Sequence, residues 1–447
     1  MKSLKLRIKK MVQKGFGMGY SGKLVIFVPY SVPGDLVKIN IKEQKKDYAF
    51  GEIEDVIEPS PLRTDPFCPY FYDCGGCQWQ MIDYKSQLNL KKDLIYDAMN
   101  HIAGINNLPL QDTQGMETPL HYRNKVQLPL KRLKNRKIIM GFYRYNTHHI
   151  VDIEKCPLHL EQFQNVLSHA RTVLQEERVT IYDEVKDWGK LRNLTLRGSS
   201  QTDEILIVLV TRRKMLSRTL AEKLRAGDPE RVVGVVENLN EEKTNRIFGT
   251  KNFTLWGRPY YYEKILGLKF IIGATSFFQV NTPMISKMAQ QFINELKDIN
   301  YVDHIVDAYS GVGLFSLLSS SFARRVTGVE ISAPAVKDAF KNVEINEQMN
   351  VIFREGDAEE ILPELEKPDI LILDPPRKGI GPNVIKFINN TKPPYIFYIS
   401  CNPPTLARDT KILIENGYDI EYIKPYDFFP HTFHVETFTK FVLKGGK

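Results

Sequence analysis

The chain has 447 residues, of which 43% are hydrophobic and 26% charged, with a net charge of +8. This length exceeds one ordinary core and predicts about two to four domains, while the apolar content excludes a disordered chain. No apolar stretch is long and charge-free enough to span a bilayer, and the opening MKSLKLRIKK lacks the apolar core of a signal peptide, so a cytoplasmic protein with reduced cysteines is expected.

The positive charge is unevenly spread. Residues 1–14 hold six Lys or Arg and no acid. Residues 121–144 hold eight and again no acid, including the run Lys131-Arg132-Leu133-Lys134-Asn135-Arg136-Lys137. Tyr122, Phe142, Tyr143 and Tyr145 accompany the second cluster. A basic run is usually a solvated face, but two acid-free clusters with stacking side chains favour a nucleic-acid phosphate backbone.

In chain order, residues 1–58 read as short strands punctuated by glycine and proline: LKLRIKKMV, KGFGMGYSG, KLVIFVPY, LVKINIKEQ and AFGEIEDVIE. That pattern predicts a small β-barrel of the oligonucleotide-binding type, closed by a Pro59-Ser60-Pro61 linker. A cysteine-rich loop follows at 66–80. The stretch DYKSQLNLKKDLIYDAMNHIAG then predicts one amphipathic helix, with Leu88, Leu94, Ile95, Met99 and Ile102 on its apolar side and Gly104 ending it. From about 119 to 270 strand-like runs dominate and predict a mixed, sheet-rich central domain. Beyond that, the apolar runs HIVDAY, RRVTGVE, VIFREGD, DILILD and YIFYIS alternate with helical stretches, with Asn281 or Thr282 capping the first helix ahead of Pro283. This is the signature of a doubly wound α/β sheet. The expected division is therefore 1–58, 59–270 and 271–447.

In such a sheet, ligands bind at the carboxyl ends of the strands. Asp307, Tyr309, Gly311 and Gly313 end the first run as DAYSGVG, Glu330 ends the second, Asp357 the third, Asp374-Pro375-Pro376-Arg377 the fourth and Cys401 the fifth. A lone Gly-x-Gly is weak evidence, but an acid at the next strand end suits ribose hydroxyls. Ser316 stands where the dinucleotide fingerprint needs its third glycine, so a ligand without pyrophosphate, such as S-adenosylmethionine, fits better. Arg377 takes the place of the aromatic that often follows Asp-Pro-Pro in amino-methyltransferases, which counts against amino methylation.

Of the five cysteines, Cys401 stands alone in YISCNPPTLARD. A lone cysteine is commonly a buried structural residue. Here the stiff Asn402-Pro403-Pro404 turn argues against a strand that merely continues. A thiolate added to C6 of uracil makes C5 nucleophilic toward a methyl sulfonium, after which a base must remove the C5 proton. The base candidates are Glu436, His431 and His434 in FFPHTFHVETFTKFVL. The remaining thiols, Cys68, Cys74 and Cys77 with remote Cys156, lack the paired spacing of structural zinc; an iron–sulfur site suits them better, with Gly75-Gly76 letting two thiolates converge.

Together these motifs resemble the RNA 5-methyluridine methyltransferases, which methylate uracil C5 with S-adenosylmethionine. The resemblance runs through the barrel, the four cysteines, FFQVN, DAYSGVG, DPPRKG, SCNPPTLARD and the terminal HVE. It implies a Rossmann-like class I methyltransferase domain, an N-terminal TRAM-type barrel, Cys401 as nucleophile and Glu436 as general base. It also implies donor contacts from Gln279, Tyr309, Glu330, Asp357 and Asp374, and a [4Fe–4S] cluster on Cys68, Cys74, Cys77 and Cys156. The barrel and cysteine set point to the 23S ribosomal RNA branch, because tRNA enzymes of the family typically lack both. Leu314 departs from the Asn that some ribosomal members carry there. The resemblance also implies that the helix around 83–103 docks on the catalytic domain. A monomer acting on 23S RNA is expected, with a tRNA uracil-C5 methyltransferase as the alternative. Cytosine-C5 methylation lacks its second cysteine, and a non-catalytic RNA-binding iron–sulfur sensor is the reading from another class.

Overall fold

The computed structural model describes residues 3–213 and 216–445, so Lys2 of the N-terminal basic cluster lies outside the described residues. The chain divides into two compact units. The first joins the residues up to Pro119 with Ser400–Thr439; the second joins Leu120–Ile399 with the residues from Lys440 onward.

In the first unit, β1 (Ser3–Met11), β2 (Gly17–Ser21), β3 (Leu24–Val28), β4 (Leu36–Gln44) and β5 (Tyr48–Glu58) close into a barrel in the order β1-β2-β3-β5-β4. Period-two alternation sends Leu6, Ile8, Ile26, Val28, Val37 and Ile39 inward. Part of the N-terminal charge is spent within the fold, since Arg7 pairs with Glu58 and Lys10 with Asp97. The expected linker is tied down: buried Asp35 accepts from the Ser60 N–H at 2.8 Å and from the Arg63 guanidinium at 2.8 Å.

Helix α1 (Tyr84–Ala98) starts where Asp83 accepts from the Ser86 N–H at 3.0 Å, and its continuation ends at Gly104, φ 74°. Its buried face differs from the apolar one read in the sequence. Leu90, Leu94, Ile95, Ala98 and Met99 are buried together with polar Gln87 and Lys91, whereas Ile102 is 43% exposed. The face is turned because Gln87 and Lys91 have partners in the chain's last segment.

The second unit opens with a seven-stranded sheet built from β6 (Lys125–Arg132), β7 (Ile138–Tyr143), β8 (Ile150–Asp152), β9 (Leu191–Ser199), β10 (Glu204–Thr211), β11 (Val232–Leu239) and β12 (Lys251–Gly257). Helices α2 (Phe163–Glu176) and α3 (Arg218–Arg225) cover it through Phe163, Leu167, Leu174, Leu220 and Leu224. The basic run at 131–137 falls around the β6–β7 turn. A hairpin of β13 (Tyr260–Ile265) and β14 (Leu268–Gly273) leads to α4 (Thr282–Ile299), capped by Asn281.

There follow β15 (Val302–Ala308), α5 (Leu314–Ser319), β16 (Ala323–Glu330), α6 (Ala333–Ile345), β17 (Val351–Glu355), α7 (Ala358–Ile361), β18 (Ile370–Leu373), α8 (Pro382–Thr391) and β19 (Tyr395–Ser400). The strands are parallel, in the order β17-β16-β15-β18-β19. The order reverses between β15 and β18, which opens a crevice at their carboxyl ends. Back in the first unit lie α9 (Pro403–Glu415), β20 (Tyr418–Tyr426) and the start of β21 (Glu436–Leu443). Among the described residues no helix is long and apolar enough to cross a membrane.

Candidate active site

At the β15–β18 crevice, the chain leaves β15 through Tyr309 in the left-handed region, φ 64°, then Gly311 and Gly313 at φ 56° and 88°. The two glycines serve different needs. A Cβ on Gly313 would lie 2.6 Å from the Phe353 ring, whereas one on Gly311 would meet nothing within 4 Å. Gly311 therefore borders open space. Its N–H donates to Glu330 Oε2 at 2.9 Å, and the Ser332 N–H donates to Oε1 at 2.8 Å. These bonds aim the Glu330 carboxylate while leaving lone pairs for a ligand's hydroxyls.

Asp307 lies beneath this turn and is buried. Burial pushes its carboxyl up to about 7; Ser316 opposes that with a hydroxyl donated at 2.5 Å, and the charge of Glu330 adds to it. The serine that breaks the dinucleotide pattern thus has a task of its own. Asp374 follows β18 and is also raised to about 7, by burial and then by Asp307 and Glu330. Asp357 caps α7, accepting from the Glu359 N–H at 3.0 Å, and the neighbouring Gly356 N–H donates to the Glu330 carbonyl at 3.0 Å. The sheet thus brings Tyr309, Glu330, Asp357 and Asp374 to one end. Gln279 sits before α4, its carbonyl held by the Asn124 side chain at 3.0 Å. Leu314 is buried as the first residue of α5.

In the first unit, Cys401 follows the end of β19 and precedes the Asn402 cap of α9; it is half-buried. Pro403 and Pro404 occupy the first helical turn, where missing N–H groups cost nothing. The Thr437 hydroxyl donates to the Ser400 carbonyl at 3.3 Å. Glu436, at 5% exposed, is buried rather than solvated. His431 is removed from the base candidates. Its Nε2 meets the Pro119 carbonyl at 3.1 Å, its Nδ1 meets the Gln87 amide at 3.2 Å, and burial lowers it to about 4.

In the sequence, Arg123 and Lys125 stand out only as members of the basic cluster at 121–144. Lys125 is half-buried and drawn down to about 7, by burial first and then by Arg197 and Arg123, with its ammonium 5.3 Å from the Phe248 ring. The i, i+2 spacing of Arg123 and Lys125 was the available signal. Arg197 was not available that way, since it comes from a strand far along the chain.

Residues 202–443 match the tRNA (Uracil-5-)-methyltransferase family. The chain belongs to that family. Residues 4–62 of this methyltransferase match the TRAM domain of tRNA (uracil(54)-C(5))-methyltransferase, in accord with the five-stranded barrel. An uncharacterized RNA methyltransferase of Halalkalibacterium halodurans is 36% identical, covering 99% of this chain and 97% of its own. One from Synechocystis is 38% identical over 97% and 94%. The crystal structure of Pyrococcus abyssi tRNA (uracil-54, C5)-methyltransferase in complex with S-adenosyl-L-homocysteine superposes with a TM-score of 0.76, at 28% identity over 98% of this chain and 100% of that one.

The methyltransferase's cysteine set divides between its units, with Cys68, Cys74 and Cys77 in the first and Cys156 in the second. Cys68 and Cys77 edge an apolar cluster of Met11, Val32, Phe71, Trp79 and Met81. The Gly76 N–H points at Cys74 Sγ at 3.4 Å, and burial raises the Cys68 thiol. Among the described residues no three Cys, His, Asp or Glu side chains are grouped so as to hold a metal ion.

Proposed function

We propose that this chain methylates C5 of uracil in RNA, with Cys401 as nucleophile, Glu436 as general base and S-adenosylmethionine as methyl donor. The observation that carries the reading is the Thr437–Ser400 bond, which ties the strand beginning at Glu436 to the turn bearing Cys401. Cys401 Sγ forms a bond to C6, and the displaced π electrons make C5 nucleophilic. When bound, the donor supplies an electrophilic methyl group for C5. Glu436 then takes the C5 proton. The C5–H electron pair restores the C5–C6 double bond while the C6–S bond breaks, and Cys401 leaves as the thiolate.

Gln279, Tyr309, Glu330, Asp357 and Asp374 are assigned to the donor. Support comes from the acidic crevice, which suits hydroxyl donors and a positive sulfonium, from the open space at Gly311, and from the S-adenosyl-L-homocysteine named for the Pyrococcus abyssi structure. Residues 1–58 are assigned to RNA binding, 59–270 to the central domain and 271–447 to methyl transfer. Arg123 and Lys125 offer a cationic seat for the RNA backbone, with buried Arg197 behind them. The target base must leave its stack, because attack on C6 is blocked within one.

We propose uridine in 23S ribosomal RNA as the target, supported by the cysteine set. The barrel does not separate the two branches, because residues 4–62 match the TRAM domain of a tRNA uracil-54 enzyme. That match favours tRNA as the second reading. A [4Fe–4S] cluster on the four thiols is supported by their spacing and by the Gly76 N–H aimed at Cys74, and would require the thiols to close on a common centre. Iron and acid-labile sulfide after anaerobic purification would support it; their absence would remove both the cluster and the argument for ribosomal RNA.

RNA carrying 5-fluorouridine should trap a covalent adduct with the native protein and none with Cys401→Ala. An adduct that persists in Cys401→Ala would overturn the nucleophile assignment. Mapping 5-methyluridine in ribosomal and transfer RNA from a deletion strain decides between the two substrates.

A further inference from the structure

The loop that carries Cys77 and the segment that carries Glu436 are joined at His431. Its carbonyl accepts from the N–H groups of Gln78 at 3.1 Å and Trp79 at 3.0 Å. Its N–H donates to Gln87 Oε1 at 2.9 Å. Because the Pro119 carbonyl can only accept, Nε2 carries the ring proton, and Nδ1 accepts from the Gln87 amide. The Gln87 amide nitrogen also lies 3.1 and 2.8 Å from the Trp79 and Ile82 carbonyls, so its two N–H groups are shared among three acceptors. His431 itself is held at φ 68°, which a non-glycine residue adopts at a cost. One helical turn along α1, Lys91 holds the other end of the same segment through Asp427 and, at 3.1 Å, the Phe429 carbonyl.

From this clamp the chain runs to Glu436 through a closed path. The Thr432 hydroxyl donates to the Phe429 carbonyl at 2.8 Å and accepts from the His434 N–H at 3.3 Å, and Val435 is buried. A shift of His431 therefore has few ways to be absorbed before it reaches the carboxylate.

We propose that His431, held by Gln87, is a positioning residue that places Glu436 for removal of the C5 proton. This rests on the reading of Glu436 as the base. A group that serves folding alone would lower both halves of the reaction together, through the fraction of folded protein. A positioning group should spare thiol addition and slow proton removal.

The test uses the full chain with Gln87→Ala, His431→Asn and Glu436→Gln side by side. Asparagine tolerates the left-handed conformation but cannot bridge Gln87 to Pro119. Adduct formation is timed on 5-fluorouridine RNA, and breakdown of the methylated adduct is timed on ordinary RNA. In Gln87→Ala and His431→Asn, formation should stay within about twofold of the native chain while breakdown slows about ten- to a hundredfold, the range expected for a misplaced catalytic group. Breakdown at the native rate in both variants, or an equal fall in both steps, overturns the proposal. If one variant fails to fold, the other decides by the same readout. If both fail, His431 and Gln87 serve folding and the proposal is overturned. If Glu436→Gln itself releases product normally, it is the base assignment that falls.

Discussion

The Thr437 hydroxyl reaches the Ser400 carbonyl across 3.3 Å, so one hydrogen bond lies a single residue from both Cys401 and Glu436. Thr437→Val keeps the shape and removes the donor. The loss of a buried hydrogen bond should cost about 1 kcal/mol, seen as a lower denaturant midpoint with an unchanged slope. Turnover should fall by more than the small loss of folded protein explains. A variant with native turnover would show that this bond does not set the thiol and carboxylate.

Gly311 and Gly313 should respond differently to alanine. Both lie in the left-handed region, where a Cβ costs about 1–2 kcal/mol. Gly313→Ala adds a clash with Phe353 and should be the less stable protein by thermal melting. Gly311→Ala places its methyl in open space, so its main loss should be donor affinity, measured by calorimetry with S-adenosylhomocysteine. Equal donor affinity in Gly311→Ala and the native chain would place the donor elsewhere.

Lys125 gives RNA binding a pH signature. Its pKa is lowered to about 7 by burial, Arg197 and Arg123, and it lies below the unfolded value. The free protein therefore sheds this proton first, and its stability should rise with pH between about 7 and 10 as the buried charge is relieved. A phosphate at the site favours the charged form, so affinity should weaken by up to about tenfold per pH unit above 7. Lys125→Met should flatten that profile and reduce the salt slope by about one. An unchanged profile would mean that no phosphate sits there.

Lys91 and Asp427 form a fully buried ion pair. Lys91→Met leaves Asp427 without its charge partner and should cost about 3–5 kcal/mol by chemical denaturation. Changing both to Met and Leu should recover much of the stability without recovering turnover. Stability recovered together with full turnover would show that the pair serves only to hold the fold.

The doubly wound sheet was legible because its strands are continuous apolar runs, each ending in an acid or, at Cys401, a thiol. The barrel was legible from alternation and turns. The buried face of α1 was not, because Gln87 and Lys91 look solvated until one sees partners 344 and 336 residues away. Ser60 read as a linker for the same reason: its anchor, Asp35, belongs to a loop inside the barrel. His431 and Glu436 could be named as base candidates but not separated. Only the geometry shows that one imidazole has both nitrogens engaged while the carboxylate lies buried beside a defined bond.

The clamp on α1 also sets an order of events during synthesis. The barrel can close once its own strands have left the ribosome. Gln87 and Lys91 must wait for Asp427 and His431, which are made more than three hundred residues later. A nascent chain thus carries α1 with its polar anchors unmatched until nearly the last residues emerge. The same late contact that completes the N-terminal fold brings in Cys401 and Glu436, the proposed nucleophile and base, so on that proposal an incompletely made chain has its barrel before it has the means to alter RNA.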